Sequence, residues 1–146
     1  MILILRRAGA GDLALLEREC APDFFARSPH LARPNPAKLR AWLAAVLEAD
    51  VVVIAERGGI YLGSMALSLV AFPWSDEIAV IDRWTHARAD RPSRALAELV
   101  RFGRLWASRC GAGLYVGDLG ATRTAARARL WGSLGGECAG VTWRFH

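Results

Sequence analysis

Residues 86–111 read "HARADRPSRALAELVRFGRLWASRCG". Arg88, Arg91 and Arg94 crowd the entrance of an amphipathic segment, and Ser93 has the side chain of a helix N-cap. A helix start already exposes unpaired N–H groups and about half a positive charge. Arginines there are unfavourable unless an anion joins them. The chemistry this pattern suits is therefore the holding of a phosphate group. A solvated basic loop that happens to precede a helix is the competing reading, and the sequence alone leaves both open.

The elements that must position this entrance are legible from periodicity. "MILILRR" reads as a first strand, followed by a turn in which Asp12 can cap a short helix bearing Leu13, Leu16 and Cys20. A proline-rich, aromatic connector follows, with a second short helical turn around Phe24 and Phe25, and carries His30. Asn35-Pro36 is a cap followed by a proline at the first helical position, and Leu39, Trp42, Leu43, Val46 and Leu47 continue the helical spacing. "DVVVIAER" is a buried strand, Gly58-Gly59 a hairpin turn, and "IYLGSMALSLVAF" the return strand, with Gly63 marking a bulge.

"IAVIDRWTH" is the next strand, and strict alternation puts Ile78, Val80, Asp82 and Trp84 on one face. The arginine-led helix follows, burying Leu96, Leu99, Val100, Trp106, Ala107 and Cys110, and Gly111 and Gly113 stop it. "LYVG" is a short strand. A helix capped by Thr122 reaches Leu134, and "VTWRFH" is a last strand. The expected fold class is α/β (α+β), a mixed sheet with helices on both faces, in one domain over 1–146.

Bulk composition sets bounds. The chain has 146 residues and is 53% hydrophobic, which suits one folded core. No apolar run approaches the ~20 residues of a membrane span. "MILIL" is too short for a signal-peptide core, so a cytoplasmic protein is expected. Cys20, Cys110 and Cys138 are too widely spaced for a disulfide framework or a zinc site, and no metal is expected. The net charge of +5 comes almost wholly from arginine, since Lys38 is the only lysine. It favours anionic partners. The arginines are not interleaved with aromatics in a nucleic-acid-binding motif, so nucleic acid is not the expected partner.

The order of elements, with "RPSRALAELVRFGRLWA" after a strand, resembles the GNAT superfamily of acyl-CoA-dependent N-acetyltransferases. That family's pyrophosphate loop reads Gln/Arg-x-x-Gly-x-Gly/Ala. Arg91 matches its lead residue, while Arg94 and Leu96 stand at its two glycine positions. "ILRRAGAGDLALLE", "VVVIAERGGIYLGSMALSLV" and "ARLWGSLGG" resemble the family's opening, its second and third strands, and its late "KLYERLGF" signature, with Trp131 in place of tyrosine.

The resemblance implies a mostly antiparallel sheet whose strands 78–86 and 114–117 splay apart around acetyl-CoA, the acyl donor. It implies that Trp84, Thr85 and His86 flank the pantetheine, and that Arg91, Pro92, Ser93, Arg94, Ala95 and Leu96 hold the pyrophosphate. Thr124, Arg127 and Trp131 would approach from the last helix. The acceptor would be an amine, bound where the first helices meet the sheet; a homodimer is compatible with this. Glu77, Asp82 and His86, on or beside the strand before the cradle, are the candidate bases. Asp82 among apolar neighbours could take a proton as its affinity rises on burial, and an ion pair with an arginine is its alternative role. An indole N–H donates a hydrogen bond but supplies no proton, so Trp131 cannot replace the family's acidic tyrosine. A GNAT-like binding protein that has lost catalysis is the second reading.

Overall fold

The computed structural model describes residues 2–27, 33–88, 90, 92–117 and 124–137. Five strands form one sheet in sequence order: β1 (Leu3–Arg7), β2 (Val51–Arg57), β3 (Ile60–Ala71), β4 (Ile78–Ala87) and β5 (Gly113–Tyr115). The first four pair antiparallel, and β5 joins β4 in parallel. Helices α1 (Leu13–Arg27) and α2 (Pro36–Ala49) precede β2; α3 (Pro92–Arg109) links β4 to β5; α4 (Thr124–Ser133) follows. The mixed, mostly antiparallel sheet with flanking helices is thus as the sequence suggested. The expected strand "VTWRFH" and the cap Thr122 lie outside the described residues.

Two cores sandwich the sheet. Leu16 and Cys20 of α1, with Leu43 and Val46 of α2, pack on Val52, Ile54, Tyr61, Ala66 and Trp84. Ala95, Leu99, Val100 and Ala107 of α3 pack on Val53, Ala55, Met65, Leu67 and Val80 of the other face, with Trp131 and Leu134 alongside. In β2, Val52 and Ile54 face one core while Val53 and Ala55 face the other. This explains its unbroken apolar run: a strand covered on both faces has no polar side to alternate with.

Local signals account for most boundaries. Asn35 caps α2 by accepting the Lys38 N–H at 3.1 Å, with Pro36 at the first helical position. Gly58 and Gly59 adopt φ of 57° and 75°, the left-handed pair that a two-residue hairpin loop requires. Gly111, at φ 71°, closes α3 while Ala112 N–H bonds back to Ala107.

Three expectations are corrected. Helix α1 does not stop near Cys20 but runs through Pro22 to Arg27. Its apolar stripe continues onto Phe24, which packs on the first core and offsets the backbone hydrogen bond that Pro22 cannot make. Ser93 does not cap α3, because the helix already begins at Pro92, a residue pre-set for the first helical position. Asp12 ends a short 3-10 turn (Ala10–Asp12) instead of capping from outside the helix; its carboxylate accepts the Gly9 N–H at 3.0 Å.

Asp12 is held chiefly by Arg6, which donates to both of its oxygens at 2.8 and 3.0 Å and also to Glu56 at 3.0 Å. These bonds keep the Asp12 carboxyl below its usual range, against an opposing desolvation penalty. The resulting stability is present above the unfolded value near ~3.9 and is lost as pH falls through the lowered folded value. The pair is partly exposed, so Arg6→Met is expected to cost only about 0.5–1 kcal/mol at neutral pH. It should also flatten the acid limb of a thermal-denaturation pH series; an acid limb identical to wild type would contradict this account.

Candidate active site where β4 and β5 part

Strand β5 accompanies β4 only briefly. Ala79, Val80 and Ile81 pair with Gly113, Leu114 and Tyr115, and among the described residues no strand pairs with β4 on that side from there to Ala87. The parting coincides with an irregularity. Trp84 stands opposite Ala66 and Asp82 opposite Leu67, so Arg83 is an extra residue on β4. A bulge of this kind bends its strand and shifts the facing of every later side chain. Val80 therefore lies in the α3 core while Trp84 lies in the α1–α2 core. This corrects the strict alternation that placed Val80, Asp82 and Trp84 on one face.

Asp82 sits at the point of parting. Its Oδ1 accepts the Gly117 N–H at 2.8 Å, and its Oδ2 accepts the Thr85 hydroxyl at 2.7 Å. The carboxylate thus takes over the role of a ladder acceptor just where the backbone ladder ends. Arg83 is turned to the other face, donating to Ser68 at 2.7 Å and Asp50 at 3.3 Å.

A second bulge lies next door. Gly63 pairs with Ala55 and Tyr61 with Glu56, which leaves Leu62 as the extra residue on β3, one position from the expected site. A Cβ on Gly63 would come within 2.6 Å of the His86 carbonyl oxygen. The missing side chain is what lets the end of β4 approach β3 so closely.

That approach builds a buried polar network on the α1–α2 face. Tyr61 Oη lies 2.8 Å from His86 Nδ1 and 2.8 Å from Ser64 Oγ. The Trp84 indole N–H donates to the same Ser64 oxygen at 2.9 Å. The Cys20 sulfur closes the cluster at 3.5 Å from Tyr61, 3.6 Å from Ser64 and 3.8 Å from His86. All five residues are buried. Burial above all, then the influence of Cys20 and Glu19, holds the Tyr61 phenol above its ordinary range despite the opposing Ser64 bond, so it stays protonated. Beside the network, Phe24, Trp42 and Trp84 form a triangle of rings with centroids 5.5–5.9 Å apart.

The residues singled out from sequence are distributed unevenly around this opening. Asp82, Trp84, Thr85 and His86 occupy the part of β4 beyond its pairing with β5. The Trp84, Thr85 and His86 side chains are buried, so a ligand between the strands would meet chiefly their backbone. Glu77 is exposed before the opposite end of β4, about 30 Å from His86 at ~3.3 Å per residue. Pro92, Ser93, Arg94, Ala95 and Leu96 make the first turn of α3, which contains no acidic residue. Arg94 is exposed, while Ala95 and Leu96 turn into the core. Thr124 and Arg127 lie on α4, and Trp131 packs half-buried against the second core. Arg91 and His30 fall outside the described residues. Phe25 is half-buried on α1.

Sequence reading missed Tyr61, Ser64 and Cys20 as a group. The signal was present in "YLGSMALS": hydroxyls at Ser64 and Ser68 share one face of an otherwise apolar strand. A buried hydroxyl needs a partner, and that need could have directed attention to the facing helix and strand.

No protein-family model matches the chain, and no curated protein matches it. Solved structures do. A predicted acetyltransferase with acetyl-CoA from Clostridium acetobutylicum aligns over 99% of this chain and 96% of its own, at 13% identity and a TM-score of 0.74. An aminoglycoside acetyltransferase from an uncultured soil metagenomic sample aligns over 100% and 99%, at 16% identity and a TM-score of 0.72. A transcriptional regulator from Bacillus halodurans aligns over 99% of both chains, at 14% identity and a TM-score of 0.78. The GNAT-like resemblance drawn from the sequence is thus shown at the level of the fold.

Removing the carboxylate at the parting leaves the Gly117 N–H and the Thr85 hydroxyl without their acceptor. Asp82→Ala is expected to lower stability by about 1–3 kcal/mol and to speed hydrogen exchange at the Gly117 amide more than at Leu99 in the α3 core. Equal acceleration at both would show a general loosening instead of a local clamp.

Proposed function

We propose that this chain transfers an acetyl group from acetyl-CoA to an amine. The observation that carries the reading is the parting of β4 from β5 beyond Ile81, directly followed by α3 with no acidic residue in its first turn. A diphosphate at that helix start would meet the Ser93 and Arg94 backbone N–H groups and the positive end of the helix dipole. Arg94, exposed at the first of the family's glycine positions, adds a cation beside it. Leu96 at the second turns its side chain into the core, so its bulk does not obstruct those amides. The likeness to an acetyltransferase solved with acetyl-CoA supports the same donor.

Acyl transfer then requires the amine nitrogen to attack the thioester carbon while charge builds on the carbonyl oxygen and leaves with sulfur. Polarised N–H groups aimed at that oxygen are the usual source of rate. The β4 backbone beyond its pairing with β5 can hold the pantetheine in line. His86, at the end of this edge, is the titratable side chain we assign to proton transfer, acting through a water because the imidazole itself is buried. Trp131 cannot act as a proton donor, which leaves protonation of the thiolate to solvent or to another group.

A second reading keeps the fold and the ligand but not turnover. It is favoured by Trp131 standing where the family has an acidic tyrosine.

Calorimetric titration with acetyl-CoA is expected to show saturable binding at roughly micromolar Kd. Arg94→Glu should weaken it about tenfold through repulsion of the diphosphate. With an accepting amine found by screening, His86→Gln should lower kcat by about 100-fold and leave the Kd for acetyl-CoA within about twofold. Absence of binding at low and moderate salt would overturn the proposal. Binding without turnover of any amine in the screen would favour the second reading.

A further inference from the structure

Strand β1 ends the sheet, so one of its edges has no neighbour among the described strands. One hydrogen bond tells which groups lie on that edge. Ala8 N–H donates to the Val52 carbonyl at 2.8 Å, and Ala8 extends the register that sets Arg7 opposite Val53. Bonded and non-bonded pairs alternate along an antiparallel ladder. Ile4 and Arg6 therefore turn their N–H and C=O groups to β2, as Ala8 does. Leu3, Leu5 and Arg7 turn theirs to the open edge.

An edge of this kind is usually blunted by proline, by charge along the strand or by its own shortness. Here the charge stands at one end only. Arg6 and Arg7 close the strand, but Ile2, Leu3, Ile4 and Leu5 before them are all aliphatic. Ile2 is 83% exposed and Ile4 52% exposed. On the α3 face, a cavity of about 310 Å³ borders the strand at Leu5, with Val51, Val53, Phe102 and Trp106 among its other walls. A strand apolar on both faces, with unpaired backbone groups between them, is complementary to a second strand of the same kind.

We propose that β1 is the contact between two copies of this chain, which pair antiparallel about a twofold axis at Ile4 and join their five-stranded sheets into one. The axis stands perpendicular to the sheet, so side chains of one face meet side chains of the same face. Charge selects the register. With Ile4 opposite the partner's Ile4, Arg6 stands opposite the partner's Ile2. It is then four positions from the partner's Arg6, or about 13 Å along the strands at ~3.3 Å per residue. With Leu5 on the axis instead, the two Arg6 residues come within two positions on one face, where like charges repel. The Ile4-centred register also uses the open edge: Leu3 and Leu5 exchange backbone hydrogen bonds with the partner's Leu5 and the partner's Leu3. Ile4 meets its copy at a non-hydrogen-bonded position, where side chains approach most closely. The partner's Leu3 lies opposite Leu5, at the border of the cavity. This contact is at the opposite end of the sheet from β5 and is independent of acetyl transfer.

Sedimentation equilibrium over a concentration series is expected to show reversible exchange between monomer and dimer. Ile4→Lys puts two ammonium groups on the axis of the dimer, while within one chain the new lysine stands opposite Glu56 of β2. It is expected to raise the dimer Kd at least about tenfold with an unchanged circular-dichroism spectrum. Cysteine cross-linking reads the register. Across a non-hydrogen-bonded pair the Cα atoms lie about 4.5 Å apart, within reach of a disulfide. Under mild oxidation, Ile4→Cys should give a covalent dimer beyond the background of the wild-type thiols. Ile2→Cys, more exposed but four positions from its copy, should not. A chain that stays monomeric up to about 1 mM would overturn the proposal. So would a dimer as tight in Ile4→Lys as in wild type, or cross-linking of Ile2→Cys as efficient as that of Ile4→Cys.

Discussion

The Asp82 carboxylate holds a junction on which the rest of the site depends. A parallel pair of strands is ordinarily sustained by a continuous ladder, and here that ladder ends after three residue pairs. Asp82 accepts from Gly117 on one side and Thr85 on the other, and so ties the strands together at the last point where they are close. Beyond it, β4 keeps its bond to β3 but presents its other edge unpaired by β5. An unpaired edge is a liability in most sheets. Between two strands that open onto a helix start, it is where the proposed function puts the extended arm of the acyl donor.

The two bulges supply the shape. Arg83 and Leu62 are each one residue too many, and both fall in the stretch where β3 and β4 approach the opening. The first turns Trp84 and His86 to the α1–α2 face. The second, with Gly63 in contact with the His86 carbonyl, brings β3 close enough for Tyr61 to reach the imidazole. The network lies beside both irregularities, one in the β2–β3 pair and one in the β3–β4 pair.

The network also shows how a helix can serve a site from behind. Cys20 lies fully buried on α1 and touches three members of the cluster. The aromatic triangle of Phe24, Trp42 and Trp84 packs beside the same region. Excluding water strengthens each hydrogen bond inside, and it raises the penalty for any proton without an acceptor.

Much of this architecture was written in local sequence. Asn35-Pro36 fixes the start of α2, the Gly58-Gly59 pair fixes a hairpin, and the apolar run of β2 announces a strand covered on both faces. Each depends on neighbouring residues alone, so the sequence suffices. The arginine-led start of α3 and the strand before it were legible for the same reason. Only the tertiary structure decided which way the β4 side chains face, because a bulge is set by the register of two strands and leaves no trace in the alternation of one. It also decided that α1 would run past Pro22, since packing of Phe24 outweighs a local helix-breaking residue. The joining of Cys20, Tyr61, Ser64 and His86 was likewise beyond local reading: residues separated by up to 66 positions meet only when the sheet and its first helix are assembled.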